Sequence, residues 1–245
     1  MITGIVVALP EELSTLTAKR LEKGCVGHPA EKIWVVYAGA GHENARIASE
    51  LLVKQGANQL ISWGCAAALD GSFKPGDLVL ANNCVDADNI EFDLNNEGWL
   101  LHTKTCLSKH LTVCCYTGKL AESRRIVSSS HDKAQLGSAT GAIALDMESV
   151  AIARVAQGYG LPFLSIRAIA DPLNMDLPKA VSHALNDQGD VGLSKLLAYL
   201  LWHPAELPGL IRLGLCFHAA KKTLKQVALA IDAIARFNPQ NAVIP

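Results

Sequence analysis

The stretch from residue 142 to residue 172 restricts the fold more than any other part of the chain. Ala142-Ile143-Ala144-Leu145 is an apolar run, and so is the segment from Pro162 to Asp171, which Pro172 closes. Between them Asp146-Met147-Glu148 opens a segment that reads as a helix to about residue 159. Strand, helix, strand predicts a βαβ unit, whose parallel crossover brings both strand ends to one edge of a sheet. Glu148 and Asp171 are then expected near each other at the carboxyl ends of two strands, where open α/β sheets bind ligands. The spacing equally fits a plainer reading. In that one Glu148 is a first-turn acid favoured by the helix dipole and Asp171 a turn residue.

The rest of the chain supplies a sheet for this unit. Residues 2–9 form a continuous apolar run expected in a sheet interior, and Pro10 suits the first turn of a helix from about Glu11. A strand over 33–38 leads into Gly39-Ala40-Gly41, and a helix over 43–55 places Ala45, Ala48 and Leu52 on one face. A short strand, 59–63, is expected to enter a small-residue loop over 64–68. After the turn Lys74-Pro75-Gly76-Asp77 come a strand from Leu78, a polar excursion over 86–99 and a strand over 113–117. Residues 124–140 read as a Ser-rich loop with one short helix, 132–136.

Beyond Pro172 the character changes. Residues 193–202 are strongly apolar, and residues 209–225 carry Arg212, Lys221, Lys222 and Lys225 with no acid. This stretch reads either as a helix covering the sheet or a subunit interface, or as an interfacial helix resting on anionic lipid. An amphipathic helix is expected to continue over 225–237, with a frayed tail after Asn238. The whole, 1–245, reads as one α/β domain containing an apolar and basic helical region at 190–237.

Apolar residues make up 50% of the chain, yet nowhere do eighteen uncharged apolar residues run together, so no transmembrane span is expected. The formal net charge of -1 argues against nucleic acid as a partner. The start, without a basic lead, reads as a first strand and not as a signal peptide. Seven cysteines, odd in number and without a C-x-x-C pair, support neither a disulfide framework nor a zinc site. They fit small core residues in a reducing, cytoplasmic compartment. No metal and no cofactor is expected.

Gly39-Ala40-Gly41 and residues 64–68 are small enough to let backbone N–H groups approach a ligand. Glu43 stands where a dinucleotide fingerprint needs its third glycine, and there is no P-loop or G-x-S-x-G elbow. What remains is a set of acids at strand ends: Glu12, Glu148 and Asp171. Such acids can activate water, accept hydrogen bonds from a diol and protonate a leaving nitrogen. Cleavage of an N-glycosidic bond is one reaction that uses all of these roles, because positive charge develops on the sugar.

These residues also carry a resemblance. Asp146-Met147-Glu148-Ser149 resembles the glutamate-bearing helix start of the nucleoside phosphorylase and nucleosidase superfamily, and Arg167-Ala168-Ile169-Ala170-Asp171 its arginine-to-aspartate strand end. Val7-Ala8-Leu9-Pro10-Glu11-Glu12 is similar to the amino-terminal segment of methylthioadenosine/S-adenosylhomocysteine nucleosidases. Trp63-Gly64-Cys65-Ala66-Ala67 resembles their loop under the nucleoside, and Lys74-Pro75-Gly76-Asp77-Leu78-Val79 the turn after it. Trp202-His203-Pro204-Ala205-Glu206-Leu207-Pro208-Gly209 is similar to the branch of hopanoid-associated phosphorylases, or adenosylhopane nucleosidases.

The resemblance implies a three-layer αβα sandwich with a mixed central sheet. It implies hydrolytic release of adenine from a 5′-substituted adenosine, adenosylhopane first. Phosphorolysis, or methylthioadenosine/S-adenosylhomocysteine nucleosidase activity, stays open. Glu12 would activate water, and Asp171 would bond to purine N7 and protonate it. Glu148 would bind the ribose hydroxyls with Met147 packed on the sugar. Gly64, Cys65, Ala66 and Ala67 would line the pocket, and Arg167 would shape the site near Glu148. The segment 117–122 would correspond to the one that stacks on adenine, but Leu120-Ala121 stands in place of the expected aromatic.

Departures are visible too. Cys65 and Ala170 each stand where the family has serine, and Ser62 stands where phosphorylases place a phosphate-binding arginine. An acid where an anion would enter repels phosphate, so water is favoured as nucleophile. The resemblance further implies a homo-oligomer. A hopanoid substituent would account for peripheral membrane contact through the carboxyl-terminal region. A binding protein without activity also fits the lost serines, although all three acids are retained.

Overall fold

β1 (Thr3–Val7) is buried along its whole length, as expected of a strand inside a sheet. It pairs in parallel with β3 (Ile33–Tyr37) on one side and β4 (Gln59–Ala68) on the other. The computed structural model describes residues 1–109, 111–184, 199 and 202–238. The remaining elements are α1 (Pro10–Leu16), β2 (Val26–Ala30), α2 (His42–Gln55), β5 (Leu78–Val85), β6 (Glu91–Asp93) and α3 (Glu97–Leu107). They continue with β7 (Cys115–Glu122), α4 (Ser130–Thr140), β8 (Ala144–Asp146), α5 (Ser149–Gly158), β9 (Phe163–Asp171) and α6 (Lys179–Ala184). A 3-10 turn (Pro204–Glu206), α7 (Leu207–Ala228) and α8 (Ile231–Ile234) follow.

Two cores lie on opposite sides of the sheet, which gives the three layers expected. Ile5 and Val7 of β1 join residues of α3, α7 and α8, such as Trp99, Leu224 and Ile234. Val6 points the other way, to Ala48 and Leu52 of α2 and Ile152 and Ala156 of α5. The alternation of β1 therefore places one helical layer on each face. Each fully buried Leu or Ile in these cores contributes roughly 1.5–3 kcal/mol relative to exposure.

The sheet runs β2-β3-β1-β4-β8-β7-β5-β6, and β9 pairs with both β4 and β5. Those pairings close a ring, β4–β9–β5–β7–β8, so half of the sheet curls on itself. β8 is antiparallel to β4 whereas β9 is parallel to it, so β8 and β9 run in opposite directions. The segment 142–172 is therefore not the parallel crossover that its pattern predicts. Three-residue β8 docks instead beside the end of β4, and α5 starts at Ser149, after Glu148 and not before it.

Other local expectations shift for tertiary reasons. The small residues over 64–68 are strand, not loop, because β9 pairs them from Gly64 to Ala67. β7 runs to Glu122 because β5 and β8 flank it, so the segment 117–122 is sheet. The helix expected over 132–136 extends to Ser130–Thr140, with Ser129 Oγ capping the Asp132 N–H at 3.0 Å. The carboxyl-terminal helix breaks after Ala228, and α8 is a separate turn. Of the apolar stretch 193–202 only residues 199 and 202 are described, and the tail after Asn238 lies outside the described residues. Among the described residues no helix is long and apolar enough to cross a membrane.

Candidate active site

The site begins as a gap beside β4. Along one edge β4 pairs with β1 as far as Trp63, and with β8 only from Ala67. Between these, Cys65 presents its backbone to no strand on that edge, and a buried N–H needs a partner. Glu12 supplies it: Oε1 accepts the Cys65 N–H at 2.8 Å. Oε2 accepts the N–H groups of Ala8 and Leu9 at 3.1 and 3.0 Å, at the start of its own helix. Trp63 Nε1 donates to Thr15 Oγ1 at 2.9 Å, which clamps α1 onto β4. Glu12 is thus held by three backbone donors in a buried position.

Gly64 explains how this carboxylate fits. A Cβ there would overlap both Glu12 Oε1 and Arg167 Nη1, so any side chain at this position must displace one of them. Arg167, in the middle of β9 and buried, enters the gap from the other side. Its Nε lies 2.6 Å from Asp146 Oδ2, and Nη1 donates to the Cys65 carbonyl at 3.4 Å. Nη2 donates to Ser62 Oγ and to Ser149 Oγ, and stands 3.8 Å from Glu148 Oε2. Ser62 is buried among these groups, which leaves it a positioning hydroxyl and not a place for an arginine.

Glu148 is the residue just before α5, and its Oε1 accepts the Gly41 N–H at 2.8 Å. Gly41 has φ +99°, a left-handed conformation that side chains rarely adopt. The small residues at 39–41 and 64–65 are expected to offer backbone donors to a ligand, and in the structure the Gly41 and Cys65 N–H groups seat the acids themselves. Met147 is half-buried beside Glu148. Asp146 accepts from the Glu148 and Ser149 N–H groups at 3.2 and 3.1 Å and so fixes the turn that carries Glu148.

Three carboxylates, Glu12, Asp146 and Glu148, therefore share one cation. Burial pushes Glu12 above the usual carboxylate range, against the pull of Arg167 and the backbone donors. Burial likewise raises Glu148, to about 7, with Asp146 and Glu12 adding to it against Arg167 and the Gly41 N–H. Burial, and then the charge of Glu12, drives the Cys65 thiol far up, which keeps it neutral.

Asp171 reaches the same strand by a different device. The register of β4 with β9 slips between Ala66 and Ala67, so Ala66 faces Ile169 but Ala67 faces Asp171. Ala170 is the extra residue of a bulge. Regular alternation would send Asp171 to the face of Arg167 and Ile169. The bulge turns it to the face of Ala67 and half-buried Cys65 instead. Ala67 also pairs with Leu145 of β8, so Asp171 and the turn carrying Glu148 flank one residue of β4. The two neighbouring strands stand on the order of 10 Å apart, twice the inter-strand spacing.

Asp171 has a partner that the sequence did not disclose. Lys133 of α4, 0% exposed, donates from Nζ to Asp171 Oδ1 at 2.8 Å. The same ammonium donates to the carbonyls of Pro172 and Met175 at 2.9 and 2.7 Å. Burial raises Asp171, and Lys133 draws it back. Lys133, Asp146 and Ser149 were missed as site residues. A lone lysine in a Ser-rich stretch carries no motif. Asp146 and Ser149 adjoin Glu148, the one signal that pointed to them.

The geometry thus unites Glu12, Gly64, Cys65, Glu148 and Arg167 by contact, and adds Ala66, Ala67 and Asp171 through the strand register. A family model described as the Phosphorylase superfamily matches residues 3–202. The chain is 24% identical over 197 residues to 5′-methylthioadenosine/S-adenosylhomocysteine nucleosidase of Staphylococcus aureus, covering 70% of this chain and 86% of the relative. Solved structures similar to it include the nucleosidase of the same name from Neisseria meningitidis in complex with methylthio-immucillin-A. That match has a TM-score of 0.69 at 19% identity and covers 94% of this chain and 98% of the other. Futalosine hydrolase of Helicobacter pylori gives 0.66 at 18%, covering 95% and 96%. At such identities the structural likeness establishes the fold, a mixed sheet between helices.

Proposed function

The chain belongs to the Phosphorylase superfamily, and from that premise we propose that it is a nucleosidase that hydrolyses the N-glycosidic bond of a 5′-substituted adenosine and releases adenine. One observation carries this reading: the cluster of Glu12, Glu148 and Arg167 in the gap of β4, with Asp171 in register with Ala67 of the same strand. Glu148 accepts the ribose hydroxyls, with Met147 against the sugar. Glu12 takes a proton from the attacking water, and Asp171 protonates purine N7 so that adenine leaves neutral. Gly64, Cys65, Ala66 and Ala67 form the wall along the nucleoside. Arg167 balances the acids and holds Glu148 in place.

Water is the nucleophile in this reading. The cation of the cluster, Arg167, is already engaged by Asp146 and Glu148, and the surplus acids oppose an entering phosphate. For the 5′ substituent the reading favours a large apolar group, as in adenosylhopane. α7 supports this, because it packs on β9, the strand that ends in Asp171. The same helix exposes Leu207, Ile211 and Leu215 in one stripe, which His218, Lys222 and Lys225 continue. An anionic bilayer surface complements such a stripe. Vesicle flotation tests it: binding to anionic but not neutral vesicles, lost in Ile211→Asp, is expected, and equal recovery with both lipids sinks it.

The deciding experiment incubates the purified protein with methylthioadenosine and, separately, adenosylhopane, each with and without phosphate, followed by product masses. Adenine plus a free ribose product, unchanged by phosphate, is expected. A ribose 1-phosphate makes the protein a phosphorylase. Nucleoside binding without cleavage removes the enzymatic reading altogether.

A further inference from the structure

We propose that Lys133 is a positioning residue for departure of the base: its ammonium fixes Asp171 through Oδ1 and neutralises the carboxylate left when Oδ2 passes its proton to purine N7. This rests on the nucleosidase reading above. A lysine with no exposed surface is rare, because burying an ammonium is costly unless its donors are used. All three protons of Lys133 are used, on Asp171 Oδ1 and on the carbonyls of Pro172 and Met175. The two carbonyls belong to the chain that leaves β9, so the ammonium holds the end of that strand as well as its acid.

The contact also sorts the two oxygens of Asp171. Among the described residues no donor reaches Oδ2, so that oxygen is left for a ligand while Oδ1 is tied. An acid placed this way has one orientation to offer, as a protonating group needs. The other charged or titratable groups facing Asp171 are few. Asp176 adds negative charge from the loop after β9, and Cys216 approaches from α7. Lys133 is the cation in direct contact.

The step balances without any further reactant. The C1′–N9 bond breaks and its electron pair enters the purine. The proton of Asp171 Oδ2 moves to N7, while a water oxygen bonds to C1′ and gives its proton to Glu12. Asp171 changes from neutral to anionic beside a fixed cation, so charge forms where it is already compensated. Solvent then returns a proton to Asp171 and removes one from Glu12. Without Lys133 the same carboxylate would form in a buried site unpaired.

The test compares wild type, Lys133→Met and Lys133→Arg by the pH dependence of kcat and KM with methylthioadenosine, and by carbon-13 NMR titration of Asp171. The acid must be protonated to act, so activity falls as pH rises through its pKa. Lys133→Met leaves burial unopposed, which raises that pKa, so the falling limb moves upward. A contact cation lowers a carboxyl pKa by about 1–3 units, so an upward shift of about one unit or more is expected. The expected drop in kcat is about tenfold or more with KM nearly unchanged, since the lost stabilisation lies in the transition state. Lys133→Arg restores much of kcat and the limb. A limb that stays put while kcat falls, or a change confined to KM, overturns the proposal and leaves Lys133 a structural tie. If Lys133→Met does not fold, Lys133→Arg and Lys133→Gln decide by the same two readouts. Failure of the wild type to release adenine overturns the nucleosidase reading instead, and the titration of Asp171 still reports whether Lys133 governs that carboxyl.

Discussion

The cluster around Arg167 and the pair of Lys133 with Asp171 apply different charge arithmetic to buried carboxylates on one sheet. Around Arg167 three acids, Asp146, Glu148 and Glu12, face a single guanidinium. Around Asp171 one acid faces one ammonium in direct contact. In the first cluster burial pushes Glu148 up to about 7, and the surplus acids Asp146 and Glu12 add to it. Where a single buried acid touches a buried cation, the cation keeps it from rising as far as burial alone would send it. A site that must accept hydrogen bonds at one end and give a proton at the other gains from this division.

The contrast breaks first at Asp171. Asp171→Asn keeps an oxygen for Lys133 but has no carboxyl proton to give. Adenine release is expected to fall by about 10²–10⁴-fold, the usual worth of a general acid, with the circular dichroism spectrum unchanged. Near-normal turnover excludes Asp171 as that acid. Next comes Arg167→Met, which leaves three buried carboxylates without their cation. A loss of about 3–5 kcal/mol in urea unfolding is expected, the cost of stranding one side of a buried pair. A loss under about 1 kcal/mol would mean that the cluster is solvated and the charge count irrelevant.

A smaller effect is expected from Gly64→Ala, because its methyl group must displace Glu12 or Arg167. Overpacking of this kind costs about 1–3 kcal/mol. Activity should fall more than stability, since the displaced atoms are those that hold the water-activating acid. An unchanged kcat would place Glu12 outside the chemistry.

The pH dependence of Glu148 sharpens the comparison last. Its folded pKa of about 7 lies above the ordinary 4.5, so the folded chain holds this proton more tightly than the unfolded one. Its contribution to stability is therefore complete below the ordinary value and is lost as pH rises through about 7. Ribose hydroxyls donate to the ionised form, so kcat/KM should rise with pH through the same range. Glu148→Gln should flatten both trends. Urea midpoints and initial rates taken between pH 5 and 8 check the two signs separately, on the order of one titrating group.

Much of this was legible in the amino-acid sequence. The continuous apolar runs over 2–9 and 33–38 hold the strands Thr3–Val7 and Ile33–Tyr37, and the helix over 43–55 buried the face expected of it. The acids stood out because few residue types can perform glycosidic chemistry, and Gly64 because it opens the small-residue stretch 64–68. The parallel crossover was misread since periodicity reports burial, not direction: three residues of β8 fit either orientation, and only pairing with β4 and β7 chose one. The small-residue segment looked like a loop for a similar reason. Alanine and glycine carry little strand propensity, and the pairing with β9 overrides it.

The amino-acid order by itself determined which groups this protein can bring to a reaction: three strand-end acids, one arginine, and walls of glycine, cysteine and alanine between them. Tertiary structure alone decided their states. It opened the gap beside β4 that Glu12 fills, inserted the bulge that turns Asp171, and buried Lys133 against it across 38 residues of chain. Charge, burial and orientation depend on neighbours in space, and neighbours this distant in sequence leave no local pattern to read.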